Sequence, residues 1–476
     1  MLHKKTKIVC TLGPASQDFG MIEKMVHAGM NVARLNFSHG SYESFSRIIE
    51  NIRKVEKKVG TPIAIMQDLQ GPKIRVGEMP AEGINIKKGQ TIILTTTKIV
   101  GHLANSASHT AAIIPCQYQE LPKDVKKNDQ ILIDDGLIEV TVIKVQKNEI
   151  FCRVANGGIV KSHKGINVPT ASIKANPITD KDKADLKFGL AHNVDYVALS
   201  FVKSAENIKE LRELIRLQKG RAKIIAKIER HEAVENLESI IFETDGVMVA
   251  RGDLGSEIPA ETVPLIQKRI IKLANLHGKP VITATQILQS MVDNPRPTRA
   301  EMSDAANAVF DHSDALMLSN ESAVGKYPLQ ATATLSKVAA SVEQYLKRHK
   351  EFLPNLLFHE NLPVSYATCL NAAKLAVDIN ADLIIAITNS GFTAQHLAKH
   401  RIYIPIIALT EDPKVQRQLA LVWGIKKTYI QPISKEIDVK MIRQFLKKNN
   451  LAKANDKIVI VSNASKDEKQ ISTIKF

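Results

Sequence analysis

Continuous apolar runs, each followed by a stretch in which apolar residues recur at helical spacing, alternate along most of the chain. The first part predicts strands at Lys7–Leu12, Val32–Phe37 and Ile63–Asp68, with helices at Met21–His27 and Tyr42–Lys57 between them. The rhythm then breaks. From about Gly71 to Pro169 come short alternating runs such as Thr91–Thr95, Ile131–Ile133, Glu139–Val145 and Ile150–Val154, punctuated by Gly, Asn and Lys, which predicts an all-β insert. Its edges are Gly71-Pro72 and Val168-Pro169, where proline restricts the backbone.

The β-then-α order resumes at Thr179-Asp180-Lys181-Asp182, a capping start for a helix. Strands follow at Tyr196–Phe201, Lys223–Glu229, Val247–Arg251, Val281–Gln286 and Ala315–Asn320, alternating with helices at Ala205–Leu217, Glu232–Phe242, Val263–His277 and Glu301–Phe310. With the first three strands this makes eight βα units, which predicts an α/β fold built on a closed (β/α)8 TIM barrel carrying its reactive groups at the C-terminal ends of the strands. An open doubly wound sheet is the alternative. A long helix through about Lys350 leads to a further α/β unit beginning near Asn361, with a helix at Tyr366–Val377 and strands at Asp382–Thr388, Pro405–Leu409, Lys427–Ile430 and Lys457–Val461. A sheet covered on both faces is expected there.

The length of 476 residues suits about three domains. Hydrophobic residues at 44% and charged residues at 24% are those of an ordinary soluble globular protein. The apolar run Ile8–Leu12 is too short for a secretory signal, and no stretch is long enough to span a bilayer. Cys10, Cys116, Cys152 and Cys369 lack the spacing of a zinc site or a disulfide scaffold, so a cytoplasmic location is expected. The net charge of +16 admits nucleic-acid binding or attraction of small anions; with aromatics at 5% and no unbroken basic helical stripe, neither DNA nor RNA is the expected partner.

Charged and polar residues cluster at the strand ends. Lys227 and Glu229 share a strand face, and Arg251 and Asp253 share one if the strand stays extended, so four charges are expected to converge on one cavity. Such a set suits a hard divalent cation carrying substrate phosphates. Arg34, Asn36 and Ser38 alternate at the end of strand two, beside His39, and suit a phosphate or a weakly held cation. Strand three ends in Asp68, followed by Lys73 and Arg75 across the domain edge; strand seven carries Thr283 and Thr285. Ser200 to Lys203 and Ser319 to Ser322 are further candidates. There is no Walker loop, GxGxxG fingerprint, clustered-histidine metal motif or Gly-x-Ser-x-Gly elbow.

Several segments together resemble the pyruvate kinase family: CTLGPAS at Cys10–Ser16, RLNFSHG at Arg34–Gly40, DLQGPKIR at Asp68–Arg75, KGINVP at Lys164–Pro169, IIAKIERHEAV at Ile224–Val234, MVARGDLG at Met248–Gly255, TATQIL at Thr283–Leu288 and LSNESA at Leu318–Ala323. The resemblance implies phosphoryl transfer from phosphoenolpyruvate to ADP, giving pyruvate and ATP. It also implies a barrel of residues 1–70 and 170–345, an inserted small β-barrel lid at 71–169, and a C-terminal α/β regulatory domain at 346–476. Glu229 and Asp253 would ligate magnesium or manganese; Lys227, Arg34 and Thr285 would be catalytic. Ser200, Ala250, Arg251 and Gly252 would join Arg34, Lys227, Asp253 and Thr285 around the substrate. Pro14, Asn36, His39, Arg75 and Lys164 would contact the nucleotide.

Asn36, Ser38, Asp68, Leu69 and Lys73 would form the monovalent-cation corner. Many potassium-requiring relatives carry Thr, Lys and Glu where this chain has Leu69, Gln70 and Lys73, and an ammonium in place of that carboxylate predicts activity independent of potassium. Asn320 and Ser322 also depart from the usual Gly and Thr. The loop Thr388, Asn389, Ser390, Gly391, Phe392 and Thr393 resembles the family's effector loop, for a sugar phosphate or AMP, and a homotetramer is implied. A magnesium-dependent lyase or aldolase acting on pyruvate enolate, and a basic RNA-binding protein, are the competing functions.

Overall fold

The computed structural model describes residues 4–105, 110–134, 136–171, 173–349, 362–433, 437–462 and 469–476. Eight parallel strands close into a barrel: β1 (Lys7–Thr11), β2 (Val32–Asn36), β3 (Ala64–Asp68), β4 (Tyr196–Leu199), β5 (Lys223–Ile228), β6 (Gly246–Ala250), β7 (Val281–Ala284) and β8 (Ala315–Leu318). Val9 of β1 registers with Val32 on one side and Met317 on the other, which closes the ring. Strand alternation divides the core in two. Val9, Met66, Ile225, Met248 and Ile282 fill the inside of the ring, while Ile8, Cys10, Leu35, Val197 and Ile224 face the surrounding helices.

The helices form where an apolar stripe and terminal caps coincide. Helix Tyr42–Val59 buries Phe45, Ile48, Ile49, Ile52 and Val55, starts on a reciprocal Ser41–Ser44 cap, and stops at Gly60 in the left-handed conformation. The expected helix Glu232–Phe242 divides into His231–Glu235 and Leu237–Glu243 around Asn236.

At the upper rim most of the expected strands end one or two residues early, and three of them shape the mouth. Runs expected to reach Phe201, Arg251 and Gln286 stop at Leu199, Ala250 and Ala284. Phe201, Thr285 and Gln286 take positive φ of 56°, 65° and 53°, and Arg251–Leu254 coils into one helical turn. The chain there leaves the ladder at the expense of backbone conformations that side chains disfavour.

The insert is a seven-stranded sheet with a two-stranded ribbon, Ile84–Ile86 against Gly158–Val160, around a core that includes Ile92, Leu94, Ile131, Val140 and Cys152. The C-terminal unit is a five-stranded sheet of β9 (Leu383–Ile387), β10 (Ile406–Thr410), β11 (Ile425–Ile430), β12 (Lys457–Ser462) and β13 (Gln470–Lys475), in the order β11-β10-β9-β12-β13. Helices Val364–Asp378 and Phe392–Ala398 cover one face and Val439–Lys448 the other. Leu421 of this unit joins the cluster inside the barrel, and Tyr196 Oη donates to Gln418 O at 2.6 Å. The expected helix end at Lys350 and the start of the third region at Asn361 lie outside the described residues.

Candidate active site

The ends of β2, β3, β4 and β5 bring a compact charge network into the barrel mouth. Lys227 Nζ lies 2.8 Å from Glu229 Oε1 and 3.2 Å from Asp68 Oδ1, and donates to Ser200 Oγ at 2.7 Å. Arg34 Nε donates to Asp68 Oδ2 at 2.7 Å, and its Nη1 to Thr11 Oγ1 at 2.8 Å. Lys227 is 9% exposed, Glu229 2% and Asp68 1%, so these charges have traded water for one another. Burial by itself would raise the Asp68 carboxyl, but the Lys227 ammonium and the Arg34 guanidinium outweigh it and hold the group below the ordinary carboxylate range. Burial would likewise lower Lys227; Asp68 and Glu229 reverse that and keep the ammonium charged.

Glu229 stands differently. Burial lifts its carboxyl, Lys227 opposes the lift, and the charge of Asp253 adds to it. Its Oε2 accepts the backbone N–H of Phe201 at 2.9 Å, made available by the left-handed turn after β4. Glu229 and Asp253, one buried and one half-exposed, repel each other at the mouth, and their oxygens are the donors a hard divalent cation takes.

Arg251 does not converge with these groups. The chain coils after Ala250, so Arg251 and Asp253 no longer share a strand face; Arg251 Nη1 pairs with Asp304 at 2.7 Å and its Nη2 donates to Thr285 O at 2.8 Å. Its role is to brace the loop after β7. Within that loop Thr285 Oγ1 accepts the Gly252 N–H at 2.8 Å and donates to Ala284 O at 2.6 Å, which joins the rims of β6 and β7. Thr283 bonds only Ser313, 2.7 Å away in the core.

Asn36 is the last residue of β2, and its Oδ1 accepts the backbone N–H of Ser38 at 3.1 Å, so Ser38 enters a turn and does not extend the strand's polar face. Leu69 is buried, and its carbonyl accepts Ser200 Oγ at 2.7 Å. Lys73 Nζ is 4.0 Å from Asp253 Oδ1, at the outer limit of an ion pair. Desolvation and the cations Arg75, Lys73 and Arg34 hold the His39 imidazole below its ordinary value. Pro14 is exposed in the turn after β1.

Arg75 Nη1 donates to His163 O at 3.0 Å and Lys164 Nζ pairs with Asp134 at 2.9 Å, so both cations are held at the insert's near edge. Asn167 Nδ2 reaches from the insert to Glu257 Oε1 of the barrel at 3.1 Å, and Lys203 Nζ holds Ala175 O at 3.0 Å on the returning segment. Lys203 thus ties the chain returning from the insert to the rim after β4. The loop after β8 is structural as well: Glu321 accepts the N–H of Leu288 and of Ser319, and Ser322 donates to Thr11 O.

In the C-terminal loop Gly391 has φ 89° and donates to Thr388 Oγ1 at 3.0 Å; Asn389 and Ser390 are exposed, and Thr393 is buried. Phe392 stacks on His396 at 3.8 Å and meets Tyr366 edge-on at 5.1 Å. Three contributors escaped the sequence reading. Thr11 anchors Arg34; Asp182 accepts the Gly71 N–H at 3.1 Å; Glu257 receives the insert. Thr11 and Asp182 carried a legible polar signal at a strand end and a helix cap, whereas nothing local distinguishes Glu257.

A family model described as "Pyruvate kinase, barrel domain" matches residues 3–332, and one described as "Pyruvate kinase, alpha/beta domain" matches residues 366–475. A pyruvate kinase of Geobacillus stearothermophilus is 43% identical over 97% of this chain and 78% of its own length. One of Thermotoga maritima is 43% identical over 96% of both chains. A crystal structure of a pyruvate kinase from Cryptosporidium parvum superposes with a TM-score of 0.88 at 36% identity, covering 99% of this chain and 96% of that one. With the charge network at the end of the barrel and matches that span nearly its whole length, the chain belongs to the pyruvate kinase family.

Proposed function

We propose that the barrel-mouth network carries the family's reaction in this chain, the transfer of a phosphoryl group from phosphoenolpyruvate to ADP. The phosphorus–oxygen bond to the enol oxygen breaks as one forms to a terminal oxygen of ADP, and the released enolate takes a proton at its methylene carbon to give pyruvate. Such transfer needs little covalent assistance and much positive charge held in place. Lys227, fixed by Asp68, Glu229 and Ser200, presents an ammonium to the moving phosphoryl group, and Arg34, fixed by Asp68 and Thr11, a guanidinium. Glu229 and Asp253 would hold magnesium or manganese, which when bound supplies positive charge to the substrate oxygens. Thr285, which accepts the Gly252 N–H at 2.8 Å, is assigned to proton delivery to the enolate carbon, directly or through water.

The observation that carries this reading is the buried ammonium of Lys227 between two carboxylates and a hydroxyl. Lys227→Met keeps the aliphatic stem and removes the charge. In an ADP-phosphorylation assay kcat should fall by about 10²–10³-fold, with manganese still retained in equilibrium dialysis. Turnover within a few-fold of the wild type would overturn the assignment.

Lys73, 4.0 Å from Asp253, is assigned with Asn36, Ser38, Asp68 and Leu69 to the monovalent-cation corner, where its ammonium would supply the charge that potassium otherwise provides. Activity should therefore persist when potassium is replaced by a tetraalkylammonium ion; its collapse would refute this. Arg75, His39, Pro14 and Lys164 are assigned to the nucleotide, with Lys164 carried by an insert that acts as a lid over residues 71–169. The loop Thr388–Thr393 is assigned to a sugar phosphate or AMP, on the strength of its exposed hydroxyl and amide groups beside the helix start at Phe392. Among the described residues no helix is long and apolar enough to cross a membrane. A cytoplasmic homotetramer is the assembly this reading expects, checked by light scattering.

A further inference from the structure

Away from the strand C-terminal ends, a cavity of about 300 Å³ opens at the seam between the lower end of the barrel and the C-terminal unit. Its walls combine Asn193, ahead of β4, and Lys219, Gly220 and Arg221, ahead of β5, with Asp412, Lys414 and Arg417 ahead of β11. Four of these side chains are cationic and one is a carboxylate. Asp412 is already engaged by Arg221. Beneath the floor lies Asp195, wholly buried, with Arg417 Nε at 2.9 Å and Lys414 Nζ at 3.9 Å. Asp195 is shared further: Arg53 reaches it from the barrel side at 3.0 Å. Lys219 makes no ion pair among the described residues and is exposed.

The charges therefore do not balance. Lys414 Nζ is buried and its hydrogens are spent on Asn193 Oδ1 at 2.9 Å, Asn193 O at 3.3 Å and Val194 O; burial depresses this ammonium to about 8, Asp195 opposes the drop, and the guanidinium groups of Arg417, Arg53 and Arg221 add to it. A dianion seated among Lys219, Arg221 and Arg417 would offset this excess, and the volume is at the lower end of the range for small-ligand sites. Guanidinium and ammonium groups converging from two units match the several oxygens of one phosphate better than the single edge of a carboxylate.

We propose that this seam binds the phosphate group of a small phosphate monoester through Lys219, Arg221 and Arg417, and that the bound anion ties the C-terminal unit to the barrel. None of the lining residues belongs to the barrel mouth or to the loop Thr388–Thr393, so the site is separate from both. Its coupling to the barrel follows from chain continuity: Leu421, inside the barrel, lies four residues after Arg417.

The test is calorimetric titration of glycerol 3-phosphate, inorganic phosphate and succinate into the magnesium-free full chain, in the wild type and in Lys219→Glu, Arg221→Glu and Ser390→Asp. Both phosphates should bind, and each of the first two substitutions should weaken them about tenfold, the cost of one charge-assisted contact. Ser390→Asp should leave the affinity unchanged, and succinate should bind more weakly. Lys219→Glu alters an exposed, unpaired side chain, so an unchanged melting temperature establishes that it folds. The proposal is overturned if millimolar phosphate gives no heat, if binding survives both seam substitutions, if Ser390→Asp abolishes it, or if succinate binds as tightly.

Discussion

Lys227 and Arg34 owe their positions to polar groups that are themselves pinned. Thr11 Oγ1 accepts from Arg34 and donates to Leu318 O at 2.8 Å, so one hydroxyl links the ends of β1, β2 and β8. Thr11→Val removes it without changing volume. Arg34 then loses one charge-assisted bond, and kcat/KM should fall about tenfold, with Thr11→Ser restoring most of it. At Lys73, Glu substitution should make turnover depend on potassium, read as a hyperbolic rise in rate with added potassium chloride at constant ionic strength. Asp68 gives a pH signature. Its folded-state carboxyl is held below the unfolded value, so its pairing stabilises the fold above the ordinary carboxylate range and is lost as pH falls through the depressed value. Urea unfolding should therefore show the wild type exceeding Asp68→Asn by a wide margin near about pH 7, a margin that narrows as pH falls below about 4.

Among elements, the rims of β4, β6 and β7 matter more than the strands themselves. The left-handed turn at Phe201 frees the amide that Glu229 accepts, and Gly71 sits against it with φ 68°. A Cβ at Gly71 would come within 2.7 Å of the Phe201 ring and 3.1 Å of Ser200 Cβ. Gly71→Ala is thus strained twice, by backbone and by contact. It should lower stability by about 1–3 kcal/mol and reduce kcat through displacement of Ser200, observable as a lower melting temperature together with slower turnover. On the other side of the insert, Asn167→Ala removes the bond to Glu257. A raised KM for ADP with unchanged melting temperature would identify that bond as part of lid closure.

At the scale of the whole molecule, the C-terminal unit is bonded into the barrel floor. Asp195 receives Arg53 from the barrel and Arg417 from the C-terminal unit, while Arg401 pairs with Asp314 at 2.8 Å and Lys7 Nζ donates to Ile425 O at 2.7 Å. Replacing Asp195 by Asn leaves those cations buried with a neutral partner and should cost about 3–5 kcal/mol. The loss should appear as a lower first unfolding transition in calorimetry of the full chain. If that transition does not move, the two units are held mainly by apolar contacts such as Leu421.

Periodicity was enough to read the eight barrel strands, the inserted sheet and the C-terminal unit, because each buries an apolar face whose spacing is a local property. Lys227, Glu229, Asp68 and Arg34 were legible for the same reason: charges at the end of an apolar strand stand out against a core that excludes them. Closure of the ring decided the rest. It set Thr11 beside Arg34, aimed Glu257 at Asn167 and placed Leu421 inside the barrel, contacts between residues far apart in sequence that no period encodes. It also turned Arg251 away from the mouth. That side chain's direction depends on where β6 leaves its ladder, and this is settled by the Thr285–Gly252 bond and the carbonyls of the neighbouring loop, not by the residues of β6 itself.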